Sequence, residues 1–212
     1  SLRIPGLDHE GGPVTQWLDE CTRRMMQVLA ESNFYNALAV MYLDLVIFGT
    51  AAALIYEDDV SVIRCYNPAL GEFYLGQSHR LAVDTFAREF TQSVKQLVTQ
   101  FGEENLSETS RGNWERGGAN ALIEVPVVHL IEPNIDGKSG VPKKFAYRET
   151  YWEKGAEKGT VLASRGFNEM PGIFPRWELT ANDSYGTCPA MDALGDVIQL
   201  QLETKRKAQG LD

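Results

Sequence analysis

Residues 171–194 read PGIFPRWELTANDSYGTCPAMDAL, and no other stretch constrains the fold as tightly. Pro171, Pro175 and Pro189 restrict the backbone by fixing φ and removing N–H donors. Gly186 permits a sharp bend. An apolar, proline-spaced arm ends in Pro175-Arg176-Trp177, and a polar turn follows. Tyr185-Gly186-Thr187-Cys188-Pro189 then launches a helix. The stretch holds no nucleophile–base pair, no metal-ligand spacing and no phosphate loop. It has the character of a structural joint, with Trp177 expected to anchor the arm by burial.

A chain of 212 residues can bury a real core, as one large domain or two small ones. Hydrophobic content of 43% and charged content of 23% fit a folded soluble protein. The longest apolar run, residues 37–56, is broken by Asp44 and Gly49, too soon for a span that needs about 20 apolar residues. No membrane association is therefore expected. The opening SLRIPGLDHEGG lacks the basic-then-apolar order of a secretion signal, so nothing argues for export. Cys21, Cys65 and Cys188 are far apart and odd in number, which suggests free thiols in a reducing compartment. A net charge of −9 argues against a tight grip on nucleic acid phosphates. It would suit a wall that DNA must slide past.

Apolar residues at helical spacing from Val14 to Leu29 predict an amphipathic helix over Pro13–Glu31, with proline in its first turn. Ser32-Asn33 can cap a second helix over residues 34–47, apolar nearly all round and stopped by Gly49. Such a helix is buried by other elements or by neighbouring subunits. Strands are predicted at 52–57 and 60–66 around Asp58-Asp59, and at 72–76. Residues 81–101 fit either one helix, or a strand to Phe90 followed by a helix capped by Thr91. A polar connection over 103–120 holds a short helix near 107–114. The grain then turns to β at 121–132, 145–153 and 160–167, with turns at 133–137 and between Gly155 and Gly159. After the arm, 189–209 is helical with two stripes. Met191, Leu194, Ile198 and Leu202 make the apolar one, and Asp192, Asp196, Gln199, Glu203 and Arg206 the polar one. With no helix stop before Asp212, the chain is expected to be a piece of a longer protein. The fold class is α+β.

His9, His79 and His129 are isolated in sequence, and His129, within an apolar strand, reads as a satisfied core or edge histidine. Glu57-Asp58-Asp59 could bind a divalent cation, although a solvated hairpin turn explains it. There is no GxSxG setting, no GxGxxG and no phosphate-binding lysine after Gly117-Gly118. No aromatic stripe for stacking bases is visible. No cofactor and no enzymatic activity are expected.

Four passages in order resemble the portal proteins of short-tailed bacteriophages, also called head-to-tail connecting proteins. They are WLDECTRRMMQVLAESNFYNAL at 17–38, DLVIFGTAAALIYED at 44–58, DTFAREFTQSVKQLVTQFG at 84–102, and PGIFPRWELTANDSYGTCPAMDALGDVIQLQ at 171–201. The resemblance implies a central fragment of a ring subunit, a dodecamer in the full-length protein. The ring sits at a capsid vertex, where double-stranded DNA enters and leaves without sequence recognition. It also implies terminase, tail adaptor, and capsid and scaffolding proteins as partners, and a place in the virion after assembly in the host cytoplasm.

Within that frame residues 1–102 look like a wing-like helical and β region leading to the stem, which favours strand-then-helix at 81–101. Residues 103–178 look like the connection and β-rich clip, and 179–212 like the joint and stem helix. Pro175, Arg176, Trp177, Tyr185, Gly186 and Pro189 would form the joint that fixes the clip-to-stem angle. The polar stripe Asp192, Asp196, Gln199, Glu203 and Arg206 would face the channel or a neighbouring subunit. Two other readings stand beside this one: a metal-dependent hydrolase using Glu57, Asp58 and Asp59, and a phage or host adaptor that binds proteins through its β-rich half.

Overall fold

A computed structural model describes residue 2, residues 12–135, residue 137, residues 140–157 and residues 160–210. His9, the loop at Gly11, Asp136 of one expected turn, Gly159 of another and the terminal Asp212 lie outside the described residues.

Helix α1 spans Pro13–Glu31 and α2 spans Phe34–Phe48. Gly49 closes α2 in the left-handed conformation that glycine adopts at least cost. Asn33 does not cap α2 with its side chain. Its amide instead acts as a strand edge for Cys65, accepting from the backbone N at 2.8 Å and donating to the carbonyl at 2.7 Å. That pair fastens the turn between the helices to the sheet beside it.

Strands β1, Ala53–Asp58, and β2, Val62–Tyr66, form a hairpin, and β3, Phe73–Gln77, pairs with β4, Val83–Ser93. The ambiguous stretch is thus strand, then helix α3, Val94–Phe101. The cap is Ser93 in a reciprocal capping box with Gln96, because Thr91 is still paired inside the sheet. Helix α4, Glu108–Arg116, is capped by Ser107. Strands β5, Glu124–Pro133, β6, Tyr147–Glu153, β7, Ala163–Phe167, and β8, Gly172–Ile173, follow. Helix α5, Pro189–Asp192, is one turn long, and a kink at Ala193 separates it from α6, Leu194–Gln209. The single helix expected over 189–209 is therefore two pieces.

The strands form two antiparallel sheets, one of order β2-β1-β8 and one of order β3-β4-β5-β6-β7. The larger sheet draws strands from both sides of residues 102–103, and β4 pairs with β5 from Phe86↔Ile131 to Ser93↔Glu124. Strand alternation gives it an inner face carrying Phe86, Arg88, Val127, His129, Ile131, Glu149, Tyr151 and Glu153. The small sheet covers one half of that face, with Leu54 and Tyr56 packed among Phe73, Leu75, Phe86 and Ile131. Helix α3 and Leu106 cover the other half, with Val94, Leu97 and Phe101 against Val127, Tyr151 and Leu162. Each such large apolar side chain contributes about 1.5–3 kcal/mol by leaving water.

The helices outside this body are far less covered. No residue of α1 or α6 is buried, and α2 buries Ala37 and Met41 alone. Val40, Tyr42, Leu43, Val46, Ile47 and Phe48 of α2 are exposed in the single chain, so the all-round apolar helix finds few partners within its own chain.

Candidate functional site at the joint

The joint is built on backbone before it is built on side chains. From Pro171 to Trp177 the strap lies alongside the segment that leaves α2. Ile55 N donates to the Pro171 carbonyl at 3.0 Å, Ala51 N to the Pro175 carbonyl at 3.1 Å, and Trp177 N to the Gly49 carbonyl at 2.9 Å. The strap then folds back on itself through a paired Glu178 and Thr187, at 2.8 and 3.2 Å. The loop between them brings Gly186 against Gly49. A Cβ on Gly186 would collide with the Gly49 carbonyl oxygen, and one on Gly49 would stand 2.5 Å from the Gly186 oxygen. Gly186 is thus required by a close backbone approach and not, as the sequence suggested, by a sharp bend. The buried Thr50 hydroxyl accepts from Gly186 N at 2.7 Å, and the buried Cys188 thiol donates to the Ile47 carbonyl at 3.2 Å.

Side chains pin the same strap to the large sheet. Arg176 donates to Gln77 Oε1 at 3.0 Å and to the Leu81 carbonyl at 2.6 Å. The Tyr185 hydroxyl accepts from Leu75 N at 3.2 Å and donates to the Phe73 carbonyl at 3.4 Å. Trp177, expected to anchor by burial, is 50% exposed. The anchors are its neighbour Arg176 and, across the loop, Tyr185. Pro189 begins α5, whose missing N–H falls where a first-turn donor has no helical partner.

The polar stripe leaves the body entirely. Asp192, Asp196, Gln199, Glu203 and Arg206 are all exposed, and Gln199 Nε2 donates to Glu203 Oε1 at 3.0 Å along the helix. Met191, Leu194, Ile198 and Leu202 are exposed as well, together with Val197 and Leu200.

The acidic turn has local work. Asp58 accepts from Ser61 N at 2.7 Å, Ser61 Oγ at 2.8 Å and Val60 N at 3.2 Å. The bonds from Ser61 hold its carboxyl below the usual range. Among the described residues no group of three or more His, Cys, Asp or Glu is placed to hold a metal ion. Nor, among them, is any helix long and apolar enough to cross a membrane.

The family profile described as bacteriophage head to tail connecting protein matches residues 1–212. The chain belongs to this family. It is 44% identical over 204 residues to the portal protein of Salmonella phage epsilon15, covering 95% of this chain and 36% of that one. It is 38% identical over 211 residues to the probable portal protein of Bordetella phage BPP-1, covering 99% of this chain and 38% of that one. The chain therefore spans little more than a third of the length of the curated relatives it matches.

In this connector-family chain two sets of hydrogen-bonding residues went unread in the sequence. One comprises Gly49, Thr50, Gln77 and Leu81, which receive the strap. Gly49 signalled only a helix stop, and nothing local announced its second use. The other set is acidic and buried. Glu153 caps the start of α4 from across the sheet, accepting from Ser107 N at 2.8 Å, Ser107 Oγ at 2.7 Å and Ser110 Oγ at 2.5 Å. Glu149 accepts from His129 on the inner face at 2.8 Å. The alternation of YRETYWE was the available signal, since Glu149 and Glu153 share a face with Tyr151.

Proposed function

We propose that this chain is the central part of a phage portal subunit, a non-enzymatic component of a homo-oligomeric ring, a dodecamer when the protein is whole. The ring forms the channel at a capsid vertex for packaging and ejecting double-stranded DNA. It works with terminase, a tail adaptor, and capsid and scaffolding proteins, and it resides in the virion after assembly in the host cytoplasm. The observation that carries this reading is the connector-family match over the whole chain, with 44% identity to a named portal protein.

The structure and the composition each support the reading. Helix α6 exposes Leu194, Val197, Ile198, Leu200 and Leu202, an apolar surface that a neighbouring subunit would cover. A net charge of −9 suits a conduit that does not hold DNA. The polar stripe Asp192, Asp196, Gln199, Glu203 and Arg206 is assigned to the channel or to a neighbour, and the joint from Pro175 to Pro189 to the clip-to-stem angle. Residues 1–102 serve as wing, 103–178 as clip and 179–212 as joint and stem. The first two share one five-stranded sheet, so that division is one of role more than of folding units. The hydrolase reading is not favoured, because Asp58 is engaged by its own turn.

Mass measurement and electron microscopy of the full-length protein test the proposal. Closed rings of about a dozen subunits support it, and a monodisperse monomer under capsid-assembly conditions refutes it. The 212-residue chain alone should form weak rings or none in dilute solution. A stable ring by light scattering would overturn that expectation.

A further inference from the structure

The small sheet grips the large one at a row of three polar side chains on the inner face. Arg88 Nε donates to His129 Nδ1 at 3.1 Å, and His129 Nε2 meets Glu149 Oε1 at 2.8 Å. His129 and Glu149 are both fully buried. The small sheet holds each end of the row. Tyr66 of β2 lies against the Arg88 guanidinium, 4.5 Å from ring centre to carbon, with the Phe90 ring at 4.2 Å. Tyr56 of β1 donates its hydroxyl to Glu149 Oε1 at 3.1 Å. Tyr151 donates to the same oxygen at 3.0 Å and stacks its ring on His129 at 4.1 Å, while Phe86 meets the imidazole edge-on. Glu149 Oε2 has no hydrogen-bond partner among the described residues.

This geometry fixes the proton. A guanidinium only donates, so His129 Nδ1 must accept, and the imidazole is neutral with its hydrogen on Nε2 facing Glu149. The ion pair of Arg88 and Glu149 is relayed through a neutral ring. A second proton could go only to Nδ1, where it would displace Arg88 and set two cations side by side under Tyr66. We infer that the Arg88–His129–Glu149 row is a proton-gated fastener, which holds the β1–β2 sheet to the large sheet while His129 is neutral and releases it when His129 is protonated.

The groups facing the imidazole are Arg88 from β4, Glu149 and Tyr151 from β6, and Tyr56 of β1 through Glu149. Burial holds the His129 pKa below its ordinary value, against the pull of Glu149. Burial pushes Glu149 up, yet the bonds from His129, Tyr151 and Tyr56 outweigh it and hold that carboxyl low. Both signs agree. The open state binds a proton on His129 that the closed state does not, so closure weakens as pH falls through the histidine range, and Glu149 adds to this only at lower pH, through the carboxylate range. For one imidazole that is free when open and unprotonated when closed, the opening equilibrium rises about tenfold from pH 7.5 to 5.5.

Native-state hydrogen exchange, normalised to intrinsic rates at each pH, reads this directly. Undocked, the small sheet is one hairpin with a third strand of only two residues, Gly172-Ile173, which is marginal in water, so opening exposes its amides. Protection of β1 and β2 amides should fall about tenfold from pH 7.5 to 5.5 while β4 and β5 amides hold. His129→Gln, whose amide can accept from Arg88 and donate to Glu149, should flatten that dependence. Nitrogen shifts of labelled histidine should show the Nε2–H tautomer at His129 and a titration midpoint below that of a histidine reference peptide. An equal fall in both sheets overturns the inference, as does the same pH dependence in wild type and His129→Gln. A His129 titration like that of the free imidazole also overturns it. If His129→Gln does not fold, the wild-type tautomer and the contrast between the two sheets decide.

Discussion

The strap and the helix that leaves it are neighbours in sequence and opposites in support. Between Pro171 and Cys188 the chain bonds to β1, to the segment after α2 and to the β3–β4 turn, through backbone and side chain alike. Helix α6, 16 residues long, follows within a few positions and buries none of them. A firmly held base carries an arm that makes almost no contact with its own chain. A helix whose apolar residues stay wet is not stabilised by packing, which supplies most helical stability in proteins. The contrast teaches that the strap completes its structure within the monomer, whereas α6 and the outer faces of α1 and α2 leave apolar side chains uncovered there.

The sharpest way to break the comparison is to wedge open the base. Gly186→Val puts a branched side chain against the Gly49 carbonyl and, at 3.0 Å for its Cβ, the Glu178 oxygen. Both obstacles are backbone atoms tied by hydrogen bonds, so relief requires moving the strap. A loss of about 3 kcal/mol or more in urea unfolding is expected. A loss under about 0.5 kcal/mol would mean that the strap does not need this close approach.

A smaller change separates the strap's side-chain anchors. Arg176→Ala removes the bonds to Gln77 and to the Leu81 carbonyl and should cost about 1–2 kcal/mol. Trp177→Ala, at a half-exposed position whose backbone bond to Gly49 survives, should cost about 1 kcal/mol or less. The reversed order would restore Trp177 as the anchor and return the joint to the arrangement its sequence suggested.

Much of the local architecture was legible. Pro13 and Gly49 marked helix ends, Asp58-Asp59 marked a hairpin, and 81–101 offered strand-then-helix as one of two readings. Those signals act over a few residues, which is the range of caps, turns and periodicity. What stayed hidden was long-range pairing. Alternation in residues 124–133 says which side chains share a face, but not that β5 lies beside β4 with Phe86 opposite Ile131. The His129–Glu149 contact follows from the register of β5 with β6, as Arg88 beside His129 follows from that of β4 with β5, so neither residue announced it alone. His129 nevertheless is a satisfied core histidine, one of the two roles expected of it, because Arg88 and Glu149 partner its two ring nitrogens. At the joint, the prolines revealed a constrained segment. Gly49 and Gly186 stand far apart in sequence, and their mutual need appears only in three dimensions.

The smallest expected effect in the isolated chain sharpens the comparison most. Ile198→Asp with Leu202→Asp places two charges on a helix face that its own chain leaves open, at 56% and 46% exposure. No buried contact is lost and no cavity forms, so the unfolding free energy of the 212-residue chain should shift by no more than about 0.5 kcal/mol. If the proposed ring buries this face between subunits, the same pair should abolish ring assembly of the full-length protein in sedimentation, because such a contact cannot take up two unpaired carboxylates. Gln199→Lys with Glu203→Lys alters the polar stripe instead and should change DNA packaging or ejection. If the apolar pair instead destabilises the isolated chain by more than about 2 kcal/mol, α6 is held by its own chain. The contrast between a fixed strap and an unsupported helix would then dissolve.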